Sequence, residues 1–110
     1  DIRLPEKLKM TLLANPKLSY RLKVDPLGIV CERSGEKLCR IAPWDDSGEI
    51  LQAWDWIPSD AQDAALLGNG TRLAILCGTC PQSIKIFTVP SGKQAKCIHL
   101  QNPCKNIFRS

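Results

Sequence analysis

Sulfur is the element most able to do chemistry in this chain. Six cysteines stand at Cys31, Cys39, Cys77, Cys80, Cys97 and Cys104 in 110 residues. Three uses are open to them. An even cysteine count in a small domain favours disulfides and an oxidising compartment, with pairing undetermined by spacing alone. Neighbours in sequence would join Cys31 to Cys39 and Cys97 to Cys104. Alternatively, Cys77-x-x-Cys80 is a zinc half-site that Cys97 and Cys104, or His99 in place of one thiolate, could complete to a tetrahedron. The third use is a redox couple in Cys77-Gly78-Thr79-Cys80, which needs a helix N-terminus to lower a thiol pKa. Ser83–Val89 reads as a strand, so that aid is missing.

Other catalytic chemistry has little to work with. His99 is the only histidine, and it falls in an alternating strand pattern where a satisfied side chain is expected. No nucleophile elbow, phosphate-binding loop or zincin motif occurs. Asp45, Asp46 and Glu49 lack the regular oxygen spacing of a calcium loop. No cofactor and no metal are therefore expected.

Binding has better candidates. Trp44, Trp54 and Trp56 could supply a stacking platform or a protein hot spot, unless they plug the core. Lys7, Lys9, Lys17, Arg21 and Lys23 would lie on the outer face of one hairpin, suited to a polyanion such as an acidic protein, a sulfated glycan or nucleic acid. Asn69-Gly70-Thr71 is a glycosylation acceptor triplet in an expected turn.

The elements that must position these residues read mostly as β. Strict alternation over 7–12 and 17–24 about Asn15-Pro16 predicts an antiparallel hairpin. A second hairpin joins 28–33 to 37–41 through Ser34-Gly35-Glu36, with Cys31 opposite Cys39 and Ile29 opposite Ile41. Residues 50–56 read as a strand placing Trp54 and Trp56 on one side. Ser59-Asp60-Ala61-Gln62 matches a capping box, so a short helix is expected near 59–67, stopped by Gly68. Strands follow at 71–77, 83–89 and 94–100, and Ile107 and Phe108 are available to pack. No internal repeat, low-complexity segment or linker stands out.

Length fits one domain over 1–110. Hydrophobic residues make up 44% and charged residues 24%, which are globular values. No apolar run reaches the ~18 residues of a membrane span, and the charged opening DIRLPEKLK does not read as a signal peptide. The net charge of +4 hides a polarity, because residues 41–71 contain six acids and no Lys or Arg.

The expected fold class is all-β or β-dominated: a small sandwich or partly open barrel of about seven short strands, stapled by disulfides. The expected function is an extracellular, non-catalytic interaction module recognising a protein or glycan partner, of unknown oligomeric state. The alternatives are a cysteine-ligated zinc module binding nucleic acid through the basic hairpin, and a thiol–disulfide oxidoreductase using Cys77 and Cys80.

Overall fold

Two antiparallel sheets face one another across a single apolar layer. The computed structural model describes residues 4–35, 37–78 and 82–102. Helices α1 (Glu6–Ala14) and α2 (Pro16–Arg21) come first, followed by strands β1 (Leu22–Asp25), β2 (Ile29–Ser34), β3 (Lys37–Pro43), β4 (Ala61–Leu67), β5 (Arg72–Cys77), β6 (Ser83–Thr88) and β7 (Lys93–His99). The strands form one sheet in the order β1-β2-β3 and another in the order β4-β5-β6-β7. Both are simple meanders, and they do not close into a barrel. The expected β-dominated class with seven strands is the one observed.

Ile29, Cys31, Leu38 and Ile41 of the first sheet meet Ala64, Leu66, Leu73, Ile75, Cys77 and Phe87 of the second in one cluster. Burial of this aliphatic surface is the main stabilising term. Two buried carboxylates lock the sheets together. Asp25 accepts from the Leu27 N–H at 2.8 Å and, across the gap, from the Leu66 N–H at 3.1 Å. Asp63, fully buried, accepts from Lys23 Nζ at 2.8 Å and Arg33 Nη2 at 2.7 Å.

Several expectations are corrected. The first hairpin is absent: residues 6–14 and 16–21 are helical. Leu, Lys, Met and Glu are good helix formers whose alternation here coincides with a strand pattern, and Pro16 is well placed in the first turn of α2. Leu8 is fully buried, whereas Met10, Leu13 and Tyr20, the last expected to face inward, are exposed. The helix near 59–67 is also absent, because AQDAALL forms β4. Five of its seven residues are buried; a strand covered on both faces reads as a continuous run without alternation. Residues 51–56 are irregular, beyond an isolated bridge between Trp44 and Ile50.

The hairpin of β2 and β3 forms, but in another register. Cys31 lies opposite Ile41 and Ile29 opposite Pro43, with a shift between Glu32 and Arg33. Glu32 pairs with Arg40 and Arg33 with Leu38, which makes Cys39 the extra residue of a β-bulge. The strands at 72–77, 83–88 and 93–99 match expectation within a residue. Among the described residues no helix is long and apolar enough to cross a membrane.

Candidate functional site

The sulfurs do not converge among the described residues. Cys31 and Cys77 are buried, Cys39 and Cys97 are exposed, and none of the four is in a disulfide. The expected Cys31–Cys39 bridge fails because the bulge turns Cys39 outward while Cys31 enters the core. Cys80 and Cys104 lie outside the described residues, as do Thr79, Ile107 and Phe108. Burial pushes the Cys31 thiol up to about 12 and the Cys77 thiol up to about 11. Those directions are opposite to what an attacking thiolate needs, and β6, not a helix, follows Cys77. Among the described residues no three His, Cys, Asp or Glu side chains gather as metal ligands would. His99 is exposed on β7, opposite Ser83.

The five cations expected on one face are dispersed. Lys7, Lys9, Lys17 and Arg21 stand on the helices. Lys7 bonds Glu49 at 2.6 Å and Arg21 bonds Glu32 at 2.5 Å. The Glu49 carboxylate holds the Lys7 ammonium above its ordinary pKa. Lys23 is committed to Asp63. The acidic loop is likewise used locally: Asp45 Oδ1 accepts from Ser47 Oγ at 2.6 Å and from the N–H groups of Ser47 and Glu49. The Ser47 hydroxyl, followed by the Glu49 N–H, holds its carboxyl below the usual range.

The tryptophans divide between structure and surface. Trp44 is half-buried and donates from Nε1 to the Asp25 carbonyl at 3.2 Å. Trp56 packs on Phe87 with ring centres 5.3 Å apart and lies over Gly92, while its buried indole N–H meets no acceptor among the described residues. Trp54 stacks on Trp56 at 5.2 Å and 25° between planes. The pair therefore shares a side as expected, although a loop, not a strand, presents it.

Trp54 also borders a concavity beside the first sheet. A groove of about 590 Å³ runs between β3, presenting Lys37, Cys39 and Arg40, and the loop residues Trp54, Ile57 and Pro58. β3 is the edge strand of its sheet. The loop bonds that edge only at its far end, through Leu51 N–H to the Pro43 carbonyl at 2.8 Å and Trp54 N–H to the Ile41 carbonyl at 3.3 Å. Among the described residues, the edge between Lys37 and Arg40 receives no further backbone bond from the loop. Arg40 Nη2 lies 3.4 Å from Glu32 Oε2 and remains partly exposed. One indole, an aliphatic wall, two cations and an open strand edge thus share one groove.

Sequence reasoning found Trp54 but missed the β3 edge, because it placed residues 50–56 as a regular strand. No protein-family model, curated protein or solved structure matches the chain.

Proposed function

We propose that the chain is a non-catalytic interaction module that takes a protein partner in the groove beside β3. The observation that carries this is the meeting of Trp54 and Ile57 with Lys37 and Arg40 along an open strand edge. Aromatic and arginine side chains at the centre of a concave patch are the usual anchors of protein recognition. The cations favour an acidic segment of the partner. A protein fits better than a glycan, because Trp54 and Trp56 stack on each other and Trp56 is turned to the core.

An extracellular setting belongs to the same proposal. Six cysteines and the exposure of Asn69 in the β4–β5 turn support it, while the unbonded state of the four described cysteines counts against it. Non-reducing intact mass of the secreted chain, with and without glycosidase, decides the setting.

Selection of a displayed peptide library on the immobilised chain tests the binding surface. Enriched peptides should be acidic, and should lose at least about tenfold in affinity to Trp54→Ala and to Arg40→Glu. Enrichment indifferent to both substitutions would overturn the assignment, as would glycan-array binding that depends on Trp54 without any peptide binding.

A further inference from the structure

A repeat hides in the strand registers. Adding 44 to each residue number carries the pairs Ile29↔Pro43, Val30↔Ala42, Cys31↔Ile41 and Glu32↔Arg40 of β2–β3 onto Leu73↔Phe87, Ala74↔Ile86, Ile75↔Lys85 and Leu76↔Ile84 of β5–β6. The same step carries Ser47-Gly48 onto Ser91-Gly92, and both glycines have positive φ, 87° and 79°. In both places the glycine is overlaid by a residue that precedes the first strand of its own sheet. A Cβ on Gly48 would lie 2.7 Å from Leu8 N, and one on Gly92 would run into the Trp56 ring. The Trp44↔Ile50 bridge falls, after the same step, within one residue of the β6–β7 pairing.

The two sheets therefore share a hairpin and the Ser-Gly turn that follows it, and each hairpin is preceded by an antiparallel strand. That preceding pair is offset by three residues: the step would carry Leu22↔Glu32 to positions 66 and 76, whereas Leu66 pairs with Leu73 across a longer turn. Beyond the Ser-Gly turn the second sheet has a regular fourth strand, and the first has only the Trp44↔Ile50 bridge in its place. In the second unit the strands grade from β4, almost wholly buried, to β7, exposed at every residue. A four-stranded meander of this kind, recurring at about 40–45 residues, is the build of a β-propeller blade; the first sheet has three of the four strands, with β1 mostly half-buried.

The difference that bears on the groove lies beyond the Ser-Gly turn. In the second unit β7 stays paired to the end of β6, with Cys97, Ile98 and His99 opposite Lys85, Ile84 and Ser83. The corresponding residues of β3 are Ile41, Arg40 and Cys39. There the returning chain makes its last backbone bond at Ile41 and leaves towards Pro58. The groove occupies the space that an outer strand fills in the second unit.

We infer that the chain is two successive blade-like units, and that the unfilled outer-strand place beside Lys37–Arg40 takes an extended acidic segment of a partner protein, paired through its backbone to β3. This rests on the groove reading above and names its mode. Backbone pairing supplies affinity, and alternate side chains of the added strand supply specificity: one set meets Trp54 and Ile57, and acidic residues meet Lys37 and Arg40. The bulge at Cys39 limits the paired stretch to a few residues, so a short segment suffices.

The test uses a fluorescein-labelled peptide alternating valine with glutamate, and the same peptide N-methylated at every second amide. The plain peptide should bind, should slow hydrogen exchange at the Cys39 and Arg40 amides at least about tenfold, and should shield Cys39 but not Cys97 from a maleimide. The N-methylated peptide, which cannot pair along that edge, should bind at least about tenfold more weakly. Equal binding of both peptides, with loss on Trp54→Ala, would overturn strand addition and leave the groove reading standing. Binding of neither, in a chain that also selects no library peptide, would overturn both.

Discussion

The Cys31 thiol gives the clearest handle on the core. In the folded chain it ionises only near 12, against an ordinary value of 9.0, because burial penalises the thiolate. In the unfolded chain it titrates at the ordinary value. Above pH 9 the unfolded state therefore holds fewer protons than the folded one, and stability falls as pH rises. The contribution is intact below about pH 9 and is lost progressively towards about pH 12. At pH 10 the loss from this thiol is roughly 1.4 kcal/mol. With a urea dependence of about 1–1.5 kcal/mol per molar, that moves the midpoint by about 1 M. Fully reduced wild type and Cys31→Ala should be unfolded in urea at pH 7.5 and at pH 10. The substitution lowers stability at both values through lost packing, but its drop between them should be smaller than that of wild type by about 1.4 kcal/mol. Lysine and tyrosine titrations enter both chains equally and cancel in this comparison. Cys77, raised to about 11, keeps its own alkaline slope in both. Parallel pH dependences would refute the placement of Cys31 in the apolar layer.

Two other outcomes follow from the packing. Asp63→Ala strands Lys23 and Arg33 beside the core and should cost about 3–5 kcal/mol, read by urea denaturation; a loss under about 1 kcal/mol would show that water already reaches the pair. Gly92→Ala drives a Cβ into the Trp56 ring at a positive φ and should cost about 2 kcal/mol, lowering the melting temperature by several degrees and shifting the tryptophan emission.

Most of the β content was legible, and so were the strands whose surroundings match their pattern. Arg72–Cys77, Ser83–Thr88 and Lys93–His99 lie between glycine and proline turns that act locally, so local reading sufficed. Residues 6–21 misled because their spacing satisfies period two while their composition favours helix, and Leu8 needs only one buried face. AQDAALL misled in the opposite sense. Alanine favours a helix in isolation, yet β4 lies beneath the first sheet, where small side chains admit the close approach that Asp25 and Asp63 require. Tertiary context outweighs intrinsic propensity at such a place. The groove was half visible: Trp54 stood out by type, but the open edge of β3 depends on where residues 50–57 leave it. The repeat escaped notice because its copies share a pattern of pairing and few residue identities, apart from the Ser-Gly turns.

The two buried acids are held reciprocally. Asp25 belongs to the first sheet and is satisfied in part by an amide of the second; Asp63 belongs to the second and is satisfied by two cations of the first. Prying the layers apart would take the Leu66 amide from Asp25 and both Lys23 and Arg33 from Asp63, so no intermediate separation is comfortable. A chain nicked in the long connection before β4 should consequently stay together as a two-piece complex, and neither piece should hold its shape alone.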